Sequence, residues 1–176
     1  MNIIMTGSTS FVGAATVREL LRRGHTVTAI VRPKSSKLDT ILEGNEEALL
    51  SGRLLVTEND LSEPEKLLEK VTKPQDVFCH FGWGGSGSAS RTDKALQEKN
   101  MEISLETIRT AKALGCKKFL FSGSQAEYGM HQDLITENTV CEPKSLYGEA
   151  KLAMREKGEK LCDTFSLLGA IYPSLP

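Results

Sequence analysis

Ser124, Tyr147 and Lys151 are the residues whose types and spacing suit one piece of chemistry. Tyr147 and Lys151 stand four apart in a stretch of helical periodicity, so both side chains fall on one face, a turn apart. A phenol is a poor base near neutrality, with an ordinary pKa of about 10. An ammonium group beside it favours the phenolate. Such a tyrosine shuttles the proton of a secondary alcohol while a hydride moves to or from a nicotinamide. Ser124, at the end of a predicted strand, would hold the reacting oxygen. An amphipathic helix that merely presents Tyr and Lys has the same spacing, so this pattern alone does not decide.

Hydride chemistry needs a dinucleotide, and the start of the chain is built for one. Ile3 to Met5 reads as a buried strand, broken at Gly7. From Phe11 the period becomes helical, with Val17, Leu20 and Leu21 on one side and Gly24 at the C-terminal cap. Gly7 permits the tight turn, Gly13 lets helix and strand approach, and the helix N-terminus directs free N–H groups at a pyrophosphate. Ser10 takes the middle position, where glycine is usual. Its hydroxyl donates to a phosphate, or its Cβ pushes the cofactor outward; the sequence leaves both open.

A second strand, Thr26 to Val31, leads into Arg32-Pro33-Lys34-Ser35-Ser36-Lys37. NAD sites usually carry a carboxylate here for the ribose hydroxyls. Three cations and no carboxylate suit a 2′-phosphate instead, which favours NADP over NAD. Leu38 to Leu50 is helical but interrupted at Gly44-Asn45. Leu54 to Val56 is a third strand, with Asp60 just past its end. Pro64 opens a helix through Lys70. Asp76 to Phe81 is the fourth strand, passing into the glycine-rich loop Gly82–Ser88. A helix follows from Asp93 to Leu114, then a strand from Lys118 to Phe121. Tyr147 to Leu161 is helical, and Thr164 to Ile171 is a sixth strand. Strands alternating with helices predict an α/β fold of the Rossmann type. Its sheet is parallel and doubly wound, with right-handed crossovers, in one domain over residues 1–176.

Composition excludes other classes. A net charge of −1 gives no basic surplus for nucleic acid. No apolar run reaches the roughly 20 residues of a membrane span. The N-terminus enters a strand at once, without a secretory pattern, so a cytoplasmic protein is expected. Cys79, Cys116, Cys141 and Cys162 are scattered, with no metal-ligand spacing, and suit a reducing compartment.

Several motifs in order resemble one family. Thr6-Gly7-Ser8-Thr9-Ser10-Phe11-Val12-Gly13 is similar to a TGxxGFxG turn. Asp60-Leu61, His80-Phe81-Gly82-Trp83, Asn100, Phe121 to Gly129, Thr136-Glu137, Pro143 and Tyr147-Gly148-Glu149-Ala150-Lys151 follow in matching order. Together they resemble the extended short-chain dehydrogenase/reductases of the nucleotide-sugar epimerase/dehydratase family. Gly123 departs from the pattern by replacing a serine, and Phe81 to Gly84 is more open than the usual small apolar run.

The resemblance implies catalysis by Ser124, Tyr147 and Lys151. It also implies cofactor contacts from Gly7, Ser10, Phe11, Val12, Gly13, Asp60, Leu61, Phe81, Gly82, Trp83, Asn100, Ser122, Tyr147 and Lys151, beside Arg32 at the end of the second strand. The expected activity is NAD(P)-dependent epimerisation or dehydration of a nucleotide-activated sugar through a keto intermediate, without a metal. An NADP-dependent reductase of a keto sugar or related carbonyl, or a non-catalytic dinucleotide-binding sensor or scaffold, are the alternatives. The resemblance further implies a homodimer through a four-helix bundle. It also implies a smaller substrate domain, largely absent here, so a longer native protein is expected.

Overall fold

Side chains of the first strand point alternately into two cores, and that alternation sets the architecture. Ile3 and Met5 pack with Val17 and Leu21 on one side of the sheet; Ile4 packs with Phe78, Ile108 and Met154 on the other. A strand covered on both faces reads as one apolar run, as residues 3–5 do.

The computed structural model describes residues 1–85, 87, 89–132, 134–165 and 168–174. The elements are β1 (Asn2–Thr6), α1 (Phe11–Arg22), β2 (Thr26–Val31), α2 (Asp39–Leu42), α3 (Glu46–Leu50) and β3 (Leu54–Glu58). A 3₁₀ turn (Pro64–Lys66) leads into α4 (Leu67–Lys70), then β4 (Val77–His80). A second 3₁₀ turn (Ala89–Thr92) precedes α5 (Lys94–Ala113) and β5 (Lys118–Ser124). A third (Gln125–Glu127) precedes α6 (Leu146–Thr164) and β6 (Leu168–Ser174). All strand pairs are parallel, in the order β3-β2-β1-β4-β5-β6. The winding reverses between β1 and β4, where an open α/β sheet leaves a crevice at the carboxyl ends of its strands.

Sequence and structure agree on a parallel, doubly wound sheet, the structure adds its strand order, and the two differ at element ends. Asp76 is not part of β4: its carboxylate accepts the Asn2 N–H at 2.8 Å, which ties the strand's entrance to β1. The last helix runs to Thr164 rather than Leu161, which moves β6 to Leu168–Ser174. Thr164 satisfies its hydroxyl inside the helix by donating to the Lys160 carbonyl at 2.9 Å, and buried Cys162 holds the last turn on the sheet. Both outweigh the strand preference of a β-branched residue. Ser86 and Ser88, in the loop after β4, lie outside the described residues. Among the described residues no helix is long and apolar enough to cross a membrane.

Candidate active site

The turn between β1 and α1 leaves no room for a side chain at two points. Gly7 has φ +67°, and a Cβ there would lie 2.6 Å from the Phe81 carbonyl carbon. A Cβ on Gly13 would overlap the Gly7 carbonyl oxygen. Ser10 is the N-cap of α1, its Oγ accepting from Gly13 N–H at 3.0 Å. That assigns the hydroxyl oxygen to the helix and leaves the hydroxyl hydrogen for an anion. Phe11 and Val12 expose their side chains and carry first-turn N–H groups that the helix does not use.

Beyond this turn lies a crevice of about 340 Å³. Of the residues singled out in the sequence, Gly7, Ser10, Arg32, Leu61, Phe81, Gly82 and Trp83 line it. Lys37 and Asn59 line it as well, and the sequence had not marked them individually. Lys34 does not; it sits at φ +56° in the turn after β2. Asp60 also stays outside the lining. Its carboxylate accepts from Ser62 N–H at 2.8 Å and Ser62 O–H at 2.6 Å, bonds that hold it below the usual carboxylate range. Glycines that a Cβ would fill and an unused helix N-terminus together fit the pyrophosphate of a dinucleotide, with two cations, Arg32 and Lys37, further along the crevice.

The loop after β4 is held by a chain of hydrogen bonds running through the core. Ser104 donates to the Asn100 carbonyl at 2.8 Å, so it accepts from His80 Nε2, 3.0 Å away. The imidazole is then the Nε2–H tautomer, and its Nδ1 accepts from Thr6 O–H at 2.8 Å. Thr6 Oγ1 accepts in turn from Gly82 N–H at 3.3 Å. Asn100 closes the other end, accepting from Gly84 N–H at 3.0 Å and donating to the Gly84 carbonyl at 2.7 Å. Asn100 therefore reaches the crevice through Gly84 and not by its own side chain. Burial, and secondly the Lys151 charge, push His80 down to about 3, so it stays neutral.

Ser124, Tyr147 and Lys151 are all buried; Lys151 Nζ lies 5.8 Å from the Tyr147 ring centroid, and the helix that carries both packs on the end of β5 at Ser124. Ser145 caps α6 by accepting from Gly148 N–H at 3.1 Å, which starts the helix one residue before Tyr147. A Cβ on Gly148 would overlap the Ala126 carbonyl, so the helix lies directly on the turn that follows Ser124. Ser124 Oγ accepts from Ala126 N–H at 3.2 Å, leaving the hydroxyl to donate.

Lys151 Nζ donates to the Ser122 carbonyl at 2.9 Å. It lies 3.9 Å from the Trp83 ring centroid and 4.4 Å from that of Phe121. Burial lowers it to about 7, opposed by the charge of Glu127. Trp83 also meets the Tyr147 ring edge-on at 6.2 Å and donates from its indole N–H to Gln97 at 2.9 Å. Trp83 is thus the wall shared by the crevice and the Tyr147–Lys151 pair. The Arg91 guanidinium lies 4.9 Å from the Tyr147 ring centroid, a contact without any signal in the sequence.

The family model of the NAD dependent epimerase/dehydratase family matches residues 3–172. The chain belongs to that family. Among curated relatives, D-erythronate dehydrogenase of Cupriavidus necator is 29% identical over 174 residues, covering 97% of this chain and 52% of the relative. The dTDP-6-deoxy-L-talose 4-dehydrogenase (NAD(+)) of Aggregatibacter actinomycetemcomitans is 30% identical over 158 residues, covering 89% and 53%. A solved UDP-glucose 4-epimerase superposes with a TM-score of 0.83 at 23% identity, over 98% of this chain and 51% of its own, a likeness of fold. The chain spans about half the length of the relatives it matches.

Proposed function

We propose that the protein is an NAD(P)-dependent epimerase, dehydratase or reductase acting on a nucleotide-activated sugar. What carries the reading is the burial of Ser124, Tyr147 and Lys151 together, one tryptophan away from a glycine-walled crevice. A bound nicotinamide supplies the acceptor and donor of hydride. Tyr147 then takes the hydroxyl proton as the alcohol becomes a carbonyl, and returns it when the carbonyl is reduced. Ser124 donates to the same oxygen and fixes its distance from Tyr147. Lys151 supplies the positive charge that favours the ionised phenol.

The nucleotide-sugar substrate rests on the likeness to the dTDP-6-deoxy-L-talose 4-dehydrogenase. A second reading, oxidation of a free sugar acid, is favoured by the likeness to D-erythronate dehydrogenase. Adding each substrate class to the cofactor-loaded protein and following nicotinamide absorbance separates them. An epimerase or dehydratase returns the hydride and leaves the net absorbance unchanged, so the absence of both a transient nicotinamide signal and a new product with either substrate would remove both readings.

NADP is the proposed cofactor, because Arg32 and Lys37 both line the crevice at the end of β2. Trp83 is the only tryptophan in the chain and sits on the crevice wall, so its emission reports binding directly. NADPH is expected to bind at least roughly tenfold more tightly than NADH, with the difference removed in Arg32→Ala. Equal affinities, or a preference for NADH, would overturn the assignment of the basic end.

A further inference from the structure

Glu127 is fully buried, although its charge has no direct part in the chemistry proposed above. One carboxylate oxygen accepts from Ser124 N–H at 2.6 Å. The other lies 3.3 Å from Arg155 Nη1, an ion pair without hydrogen-bond alignment. Ser124 accepts in return from the turn's own backbone, so Ser124 and Glu127 form a capping box around Gln125–Glu127. Arg155 stands eight residues beyond Tyr147 and four beyond Lys151, on the same face of α6. It also donates to Cys141 Sγ at 3.1 Å, which fixes the guanidinium from a second side. A carboxylate with no net charge to balance would be costly at this depth, where a neutral glutamine makes the same cap.

We propose that Glu127 is a positioning residue: its carboxylate locks the Ser124 turn against α6 and provides the negative charge that faces the Lys151 ammonium. The proposal rests on the reading of Tyr147 and Lys151 as the proton-handling pair. By fixing β5's end to the helix at Arg155, Glu127 sets the separation between Ser124 and Tyr147. By its charge it keeps Lys151 protonated where burial would strip the proton.

Lys151 Nζ bonds the Ser122 carbonyl while Glu127 accepts from Ser124 N–H, and residues two apart in β5 project these groups from the same edge, so among the described residues Glu127 is the negative partner beside the ammonium. His80 faces it from β4 and is neutral; the Ser122 carbonyl faces it from β5; Tyr147 and Arg155 flank it on α6. Arg91 reaches the Tyr147 ring from the turn before α5. Around Glu127 the charges are Arg155 and Lys151, which favour its ionised form, and Glu159, which opposes it. Burial outweighs these and raises the Glu127 carboxyl, so the ionised form depends on its cationic partners.

Trp83 provides the readout, because the Lys151 ammonium lies over its ring. In the wild type, emission is expected to change as Lys151 titrates near pH 7, and Lys151→Met is expected to abolish the transition. Glu127→Gln keeps an acceptor for Ser124 N–H while removing the charge. Its transition is expected to move down by on the order of one pH unit. Urea unfolding of Glu127→Gln, Lys151→Met and the double variant gives a second measurement, in which the costs are expected to be non-additive. An unchanged midpoint in Glu127→Gln, no Lys151-dependent transition from roughly pH 5 to 9, or strictly additive unfolding costs would each overturn the proposal. None of these measurements requires turnover, so a failure of the enzymatic reading shows itself separately.

Discussion

Tyr147→Phe is expected to lower turnover roughly 10²–10⁴-fold, the contribution of a positioned general acid/base. The substitution removes one oxygen and keeps the ring, so the edge-on contact with Trp83 at 6.2 Å and the Arg91 guanidinium at 4.9 Å survive. Cofactor affinity should hold, because the residues that line the crevice do not include Tyr147. Lys151→Met should lose turnover too, and should additionally disturb the crevice wall, since Lys151 Nζ lies 3.9 Å from the Trp83 ring centroid. Steady-state turnover beside cofactor titration separates the two effects. A Tyr147→Phe enzyme that works at the wild-type rate would show that another group moves the proton.

Gly13→Ala should weaken cofactor binding by the opposite route, leaving Ser124, Tyr147 and Lys151 untouched. The new methyl would overlap the Gly7 carbonyl and come 2.9 Å from Ser10 Oγ, the atom that caps α1. The carbonyl is backbone and cannot rotate away, so α1 must withdraw from β1. That breaks the cap, at about 1 kcal/mol, and turns the helix N-terminus away from the pyrophosphate. Affinity for the dinucleotide should fall at least about a hundredfold, close to 3 kcal/mol. Quenching of Trp83 emission measures it. Retention of wild-type affinity in a folded Gly13→Ala protein would mean that the phosphates bind elsewhere.

What the sequence made legible depended on range. The Gly7–Gly13 turn and the Tyr147–Lys151 face are local patterns, set by helix period and by backbone that tolerates no Cβ. The Ser124-x-x-Glu127 capping box was equally local, yet a glutamate in that position had no chemical role to draw attention to it. Lys37 rather than Lys34 lines the crevice because the chain turns at φ +56° on Lys34, a torsion that composition does not reveal. Asp60 was read as a cofactor contact from its place after β3, but Ser62 two residues on gives its carboxylate a local partner. Trp83 and Lys151 are 68 positions apart in the sequence, and it takes the pairing of β4 with β5 and the packing of α6 on β5 to bring them together. His80 needed the same long-range knowledge, since its partners come from β1 and α5.

The most direct measurement follows one hydrogen atom. A nucleotide sugar deuterated at its reacting carbon is mixed with the cofactor-loaded protein in the form the cell makes, and the nicotinamide is analysed by mass spectrometry at rapid-quench times within a single turnover. Hydride transfer predicts deuterium on the nicotinamide, retained by a reductase-type reaction run in reverse and transient when the hydride is returned. Deuterium lost to water, or a product formed without deuterium reaching the nicotinamide at any time in the turnover, would contradict hydride transfer at the site of Ser124, Tyr147 and Lys151.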